Sequence, residues 1–196
     1  MNIFKDFIKI FSFFLFLIIF IPSVILADSK KPEMTIFSIE RSMMIKGYKG
    51  YARGYFSGDV QILGINMYAD EWKGYISPID LAVGWGLMME RQSLDELKIK
   101  QGNRFYYWQI PEKNTTRWDA KKIITSSTNI HIIPGYSDML LKILTLRAGD
   151  KIHIEGYLVD IEDGHGNIWQ TSIKQDDTGA GACEILLVTK INILKP

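Results

Sequence analysis

The 196-residue sequence has a single cysteine, Cys183. One cysteine excludes an internal disulfide and every metal or redox motif that is built on a cysteine pair. The sequence also has only three histidines, and none of them forms a His-Glu-x-x-His zinc motif. Stability must therefore come from a hydrophobic core, and the residues after position 27 are numerous enough to build one as a single domain.

An excess of charge of either sign is also absent. The 23 basic and 22 acidic residues of the chain become 21 of each once Lys5, Lys9 and Asp6 are set aside with residues 1–27. A neutral body lacks the broad positive surface of proteins that bind nucleic acid without sequence preference. We therefore expect no nucleic-acid partner.

Loops that bind phosphate or calcium are missing as well. Residues 84–86 and 179–181 lack the third glycine of a dinucleotide-binding loop, and no Gly-Lys-Ser/Thr occurs. The acidic turn at residues 160–167 has glycine where an EF-hand needs an oxygen ligand. The sequence therefore predicts no cofactor and no metal site.

One long apolar run is present, over residues 10–27. Lys5 and Lys9 precede it and Pro22 interrupts it, which is typical of a secretory signal peptide that ends at Ala27. An uncleaved anchor is the alternative, because the run lies at the lower edge of the roughly 17 to 25 residues that span a bilayer. We expect an exported protein, periplasmic or secreted, with single-pass anchoring through residues 1–27 as the alternative.

The pattern up to residue 86 mixes helix and strand. Residues 28–47 are predicted to be a polar spacer and a short helix over 34–46, where apolar residues recur at helical spacing. Residues 48–68 predict two strands around a turn at 57–59. Ser77, followed by Pro78 and then Asp80, predicts the start of a short helix.

The remainder is predicted to be mainly strands. Residues 97–101 and 103–110 predict a hairpin about Gly102, residues 129–133 a strand, and Ser137 the cap of a helix. Apolar residues change phase at Gly156 within residues 151–161, which predicts a bulge and a sharp bend. Strands over 168–174 and 182–194 follow. Residues 48–196 thus predict one α+β domain, a bent antiparallel sheet or a small OB-like barrel with two or three short helices.

Three strings carry a resemblance to a known family. They are SPIDLAVGWG at residues 77–86, NIHIIP at 129–134 and DTGAGACE at 177–184. Together they resemble a family of small, exported, uncharacterised bacterial proteins, over roughly residues 48–190. The resemblance implies a bacterial envelope protein and assigns no catalytic residue.

His131 is the histidine whose neighbours favour a site. It alternates with Ile130 and Ile132, whereas His153 and His165 lie in polar surroundings. A structural, hydrogen-bonded histidine is one interpretation, and a base or ligand-binding group is the other. We expect a polar binding pocket lined by Asn129, His131, Arg104 and Glu184.

Other side chains suggest binding or catalysis more weakly. Asp177 begins an Asp-Thr-Gly string like that of aspartic proteases, but polar residues precede it and no second copy exists. Cys183 is predicted to be a buried, unreactive thiol. Trp85 lies between two glycines and is the best candidate for an exposed anchor, since the chain is rich in Tyr and Trp beyond position 27.

Three hypotheses follow from these patterns. The first is a non-enzymatic envelope module that presents a Tyr/Trp-rich surface to another envelope protein or to a glycan. The second is an exported hydrolase that uses His131 with Asp176 or Asp177. The third is a membrane-tethered structural subunit that keeps residues 1–27. The sequence leaves the oligomeric state open.

Overall fold

The computed structural model describes residues 30–69 and 71–195. The apolar segment at residues 1–27, predicted to be a signal peptide or an anchor, lies outside the described residues. Within the two described ranges, no helix is long and apolar enough to cross a membrane.

Strands dominate the described part of the chain, and the helices are short. The strands are β1 (Glu33–Ile45), β2 (Tyr48–Met67), β3 (Ile79–Gly84), β4 (Lys98–Gly102), β5 (Phe105–Gln109), β6 (Ser127–Pro134), β7 (Lys151–Glu162), β8 (Ile168–Trp169) and β9 (Glu184–Ile193). The helices are α1 (Glu71–Ile76), α2 (Gln92–Glu96), α3 (Ala120–Ile124) and α4 (Ser137–Leu144), with 3-10 turns at Gly86–Met89 and Glu112–Asn114.

Five of the strands close into a barrel. They are hydrogen-bonded in the order β2-β3-β6-β9-β7, and a further pairing of β7 with β2 closes the ring. Only β6 and β9 run parallel within this ring; the other pairs are antiparallel. If the five barrel strands are numbered from first to last along the sequence, their order around the ring is 1-2-3-5-4. α4 connects the third of these strands, β6, to the fourth, β7. This confirms the predicted α+β fold with a bent sheet, which here closes on itself in the manner of the OB-like alternative. The described residues form four short helices where two or three were predicted.

The barrel interior is the main core. Its buried side chains come from alternate positions of all five barrel strands and from α4. Representative members are Phe56, Leu81, Ile132, Ile143, Ile154 and Leu186. The hairpin of β4 and β5 and the segment around it form a separate apolar cluster outside the barrel, which includes Leu63, Ala82 and Trp118. The outer face of β3 and β6 is therefore covered in part.

Residues 34–45 form a strand, so the helix predicted over 34–46 is wrong. β1 pairs with β2 on both sides of a register shift between Ile36 and Arg41. The shift interrupts the two-residue alternation of β1. Apolar residues on either side of it consequently fall three or four apart, which imitates the spacing of a helix.

Residues 48–67 form one strand of 20 residues, so the predicted turn at 57–59 is wrong. β2 continues through Gly58, where an added Cβ would lie 2.6 Å from the Cβ of Pro32. This glycine permits a close approach of two chain segments and does not reverse the direction of the chain.

Ser77 and Pro78 precede a strand, so the predicted helix start is also wrong. All six residues of β3 are buried, because the core covers one face and the hairpin segment the other. The alternation of Ile79, Leu81 and Val83 was therefore the decisive pattern, and it outweighs the local capping residues.

Four elements predicted in the second half of the chain and the register shift at Gly156 are present, and one predicted strand is too long. The hairpin, the strand around His131, the helix near Ser137 and the final strand are present as β4–β5, β6, α4 and β9. Two details differ: the hairpin turns at Asn103 and Arg104, after Gly102, and Ser137 is the first helical residue and not the cap, which is Tyr136. The register of β7 against β9 shifts between Glu155 and Gly156, at the predicted bend, and the additional residue lies in β9. The return strand predicted over 168–174 is limited to Ile168–Trp169.

Candidate functional site

The buried carboxylate of Asp80 is the centre of a polar cluster on the outer face of the barrel. Nδ1 of His131 lies 2.8 Å from Asp80 Oδ1, and Nη1 of Arg104 donates to the same oxygen at 3.1 Å. Nδ2 of Asn129 donates to Oδ2 at 3.3 Å. A buried carboxylate is costly unless hydrogen bonds and opposite charge compensate it, and this cluster supplies both.

Strand register brings the cluster together. Asp80 of β3 is directly opposite His131 of β6, and Asn129 is opposite Ala82. Residues two apart on a strand share a face, so all three polar side chains point away from the barrel interior. The neighbours Ile130 and Leu81 point inward, into the core.

Arg104 enters the cluster from the turn of the β4–β5 hairpin. It and Asn103 have positive φ angles of 66° and 52°, as a two-residue turn between antiparallel strands requires. Positive φ is uncommon for residues other than glycine and persists where the surroundings stabilise it. Here Nη1 also donates to the carbonyl of Ser77 at 2.8 Å, and the guanidinium lies 3.9 Å from the ring centre of Tyr68.

A cavity of about 430 Å³ opens beside this cluster, and we name it the basic cavity. Its lining includes Lys73, Arg104, Phe105, His131, Trp169 and Gln170. The ring of Trp169 lies 4.9 Å from that of His131, between centres, and Lys73 Nζ lies 5.1 Å from the Trp169 ring. The cavity therefore combines two cationic side chains with aromatic surface.

The structure brings together three of the four side chains predicted to share a pocket. Arg104, Asn129 and His131 all contact Asp80, whereas Glu184 is on the opposite face of the sheet. Glu184 is paired with Ile130 in the parallel β6–β9 register, and its Oε2 accepts a hydrogen bond from Thr128 at 2.6 Å. Burial raises the pKa of the Glu184 carboxyl to about 8, although the Thr128 bond opposes the rise.

The acidic partner of His131 is Asp80, and the pairing that the hydrolase hypothesis placed at Asp176 or Asp177 is not observed. Asp177 accepts a hydrogen bond from Ser172 Oγ at 2.8 Å and lines a different cavity from His131. The Asp-Thr-Gly string therefore belongs to a loop that a serine hydroxyl holds in place.

Trp85 is buried, so its prediction as an exposed anchor is wrong. Only 2% of its surface is exposed, and its ring packs in the barrel core with Phe56 and Met139. Its flanking glycines have a local role. Gly86 has a φ of +52°, and an added Cβ on Gly84 would lie 2.5 Å from Met88 Cβ, so the chain turns tightly after β3.

Cys183 lines the basic cavity, yet its surroundings keep the thiol protonated. Burial raises the pKa of Cys183 to about 12, against a weaker effect of the Asn129 amide. Sγ lies 3.7 Å from the carbonyl oxygen of Arg104, to which it donates. A neutral thiol is a poor nucleophile, which agrees with the predicted unreactive cysteine.

Asp80, Trp169 and Lys73 are residues of the site that sequence reasoning missed. Asp80 was assigned to a helix start, although a carboxylate within an alternating apolar strand is itself a sign of a buried polar cluster. Trp169 lies in β8 and contacts His131 only once the chain has folded. Nothing in the sequence near either residue indicates that contact.

Comparisons with known proteins give no match. No family model matches the chain, and no curated protein sequence or solved structure matches it significantly. Among the described side chains, no group of three or more His, Cys, Asp or Glu residues is arranged to hold a metal ion. The case for a function therefore depends on the geometry of the barrel and its cavities.

Proposed function

We propose that this protein is an exported bacterial envelope protein and that its barrel is a non-enzymatic binding module for an acidic glycan. The basic cavity is the binding site. The single observation that carries this proposal is a cavity that joins Lys73 and Arg104 to the rings of Trp169 and Phe105.

The position of the cavity supports the proposal. It opens on the outer face of β6, the third strand of the barrel, where the lining residue His131 contacts Asp80 of β3. The outer face of the second and third strands is the one that OB-folds use to bind oligosaccharides and oligonucleotides. Fold alone does not determine function, so the side chains carry the argument. Sugar rings stack on aromatic surface, and the cationic groups suit the carboxylates of an acidic glycan.

The polar cluster supports the proposal by holding Arg104 in place before a ligand arrives. Its guanidinium is fixed by Asp80, by the carbonyl of Ser77 and by the ring of Tyr68. A side chain that is already ordered loses little conformational freedom on binding, which increases affinity. Asp80 offsets the positive charge of Arg104. Lys73, which lies close to Trp169, supplies a positive charge that Asp80 does not offset.

Calorimetric titration with an oligogalacturonate, with neutral malto-oligosaccharides and with oligo-dT tests the proposal. We expect the acidic sugar to bind, the neutral sugar to bind about tenfold more weakly, and Lys73→Gln to remove most of that difference. Trp169→Leu should weaken both sugars. Lys121→Gln, an exposed lysine on α3, is the matched control. Equal binding of both sugars would contradict the proposal, and tighter binding of the oligonucleotide would replace the glycan with a nucleic acid.

The His131–Asp80 pair favours one second candidate, an exported hydrolase. An aspartate that fixes a histidine beside a cavity is the arrangement of a general base. Because Cys183 is protonated, the nucleophile in such an enzyme would be a water molecule. If the native protein releases reducing ends from a bound glycan, and His131→Asn binds the glycan but no longer releases them, the hydrolase is established over the binding module.

A further inference from the structure

A second cavity adjoins the basic cavity and has the opposite charge. Its volume is about 360 Å³, and it lies between β5, the start of β6 and the loop at residues 177–183. The lining includes Phe105, Tyr106, Trp108, Asn129, Asp177 and Cys183. Phe105 and Cys183 line both cavities, so the two are neighbours. We name this one the acidic cavity.

Asp177 determines the charge of the acidic cavity. Among the described residues that line it there is no lysine or arginine, and its other acidic or weakly acidic groups are neutral near pH 7. Burial raises the pKa of Tyr106 far above neutrality, and it raises the pKa of Cys183 to about 12. The Asp177 carboxylate is held at the cavity by Ser172 Oγ at 2.8 Å.

The aromatic walls come from alternate residues of β5. Tyr106 and Trp108 point towards the barrel and are half-buried, whereas Tyr107, between them, points away and is 51% exposed. The hydroxyl of Tyr106 lies 2.6 Å from Ser127 Oγ, which fixes the ring against β6. Phe105, at the turn end of the strand, also lines the cavity, but its ring lies beside that of Tyr107 on the other face of β5.

We propose that the acidic cavity binds a small organic cation of the alkylammonium class. Aromatic faces attract cations through their negative π surface, and a nearby carboxylate adds direct charge attraction. An alkylated ammonium also has the apolar surface that the rings need, whereas a small hydrated metal ion would need several oxygen ligands. One carboxylate among aromatic rings therefore suits an organic cation.

This site is distinct from the one in the proposed function. The basic cavity takes negative charge through Lys73 and Arg104, and neither of those side chains lines the acidic cavity. Failure of glycan binding therefore leaves this proposal intact, and failure of ammonium binding leaves the glycan proposal intact.

The test is a titration of the purified protein with choline and with 3,3-dimethylbutan-1-ol, which has the same shape without the charge, at constant ionic strength. We expect choline to bind about tenfold more tightly than the alcohol. Asp177→Asn keeps an acceptor for Ser172 and should weaken choline about fivefold without affecting the alcohol. Asp176→Asn, the exposed neighbour outside the lining, should leave both unchanged.

A second pair of variants tests the aromatic wall. Trp108→Leu should weaken choline, and Tyr107→Leu, on the other face of the same strand, should not. Lys73→Gln should leave choline binding unchanged, because that residue belongs to the basic cavity. The proposal is overturned if choline fails to bind at millimolar concentration, if it binds no better than the alcohol, or if Asp177→Asn binds it as well as the native protein.

Discussion

Nδ1 of His131 lies 2.8 Å from Oδ1 of Asp80, and both side chains are almost completely buried. The two residues are directly opposite each other on adjacent barrel strands, 51 positions apart in the sequence. The contact therefore depends on the strand order of the barrel. It orients the His131 ring beside the basic cavity and fixes Arg104 at the same time.

Removing the Asp80 carboxylate should destabilise the protein strongly. We expect Asp80→Ala to lower the free energy of unfolding by about 3–5 kcal/mol, because it leaves Arg104 and His131 without their buried acceptor. The matched control is Asp59→Ala. Asp59 also contacts a histidine, His153, at 2.6 Å, but on an exposed surface, where such a pair is worth at most about 1 kcal/mol. Urea denaturation measures both, and equal losses would contradict the structural role given to Asp80.

Trp85 should behave as a core residue. We expect Trp85→Ala to cost about 3–5 kcal/mol of unfolding free energy, because it removes a large side chain from the barrel interior. Tyr136→Ala, with a ring that is 55% exposed, should change stability by no more than about 0.5 kcal/mol. If Trp85→Ala unfolds at the same urea concentration as the native protein, the ring is outside the core.

Local patterns predicted the elements whose determinants are local. The strands of the β4–β5 hairpin follow from alternation within a few residues, although the turn is at Asn103 and Arg104 and not at Gly102. The register shift at Gly156 likewise follows from a local change of phase. β3 was missed because Ser77 and Pro78 resemble a helix start, while the burial of both faces of that strand depends on segments far away in the sequence. β1 was missed because its register shift disturbs the alternation.

The candidate site was predicted only in part, again because some of its contacts join segments that are far apart in the sequence. Arg104, Asn129 and His131 were grouped because each is a polar residue in or near an apolar strand. The residue that unites them, Asp80, lies in a segment where Ser77 and Pro78 predict a helix, so the sequence does not group it with them. Glu184 was grouped with them wrongly, because sequence alone does not determine which face of a paired strand points into the barrel.

Gly156 should be intolerant of any side chain. An added Cβ would lie 2.4 Å from the carbonyl oxygen of Leu187, closer than backbone atoms allow, so β7 and β9 would have to separate. We expect Gly156→Ala to lower the unfolding free energy by about 1–3 kcal/mol. Gly164→Ala is the control, since an added Cβ there meets no atom within 4 Å. Thermal and urea unfolding should separate the two variants, and similar stabilities would show that the strands accommodate the methyl group.

Glu184 should make the stability of the barrel depend on pH. Burial raises the pKa of its carboxyl from the ordinary 4.5 to about 8 in the folded protein, so the folded state holds a proton that the unfolded state releases. Between these two values the folded protein binds more protons than the unfolded chain, and the stability contributed by this group falls as the pH rises. The loss approaches about 1.4 kcal/mol per pH unit within the interval and ends above pH 8.

Glu184→Gln isolates this effect from every other titrating group. Glutamine keeps an oxygen that can accept the hydrogen bond from Thr128, and it has no charge to lose, so the difference between the two proteins reports on Glu184 alone. We expect the variant to gain stability relative to the native protein with each step in a series of urea titrations at pH 5, 6, 7 and 8. A difference that stays constant across the series would mean that Glu184 ionises in the folded barrel as it does in the unfolded chain. The opposite slope would mean that its carboxylate is stabilised by a positive charge. Among the described residues, the side chain that is hydrogen-bonded to Glu184 is the Thr128 hydroxyl, which supplies none.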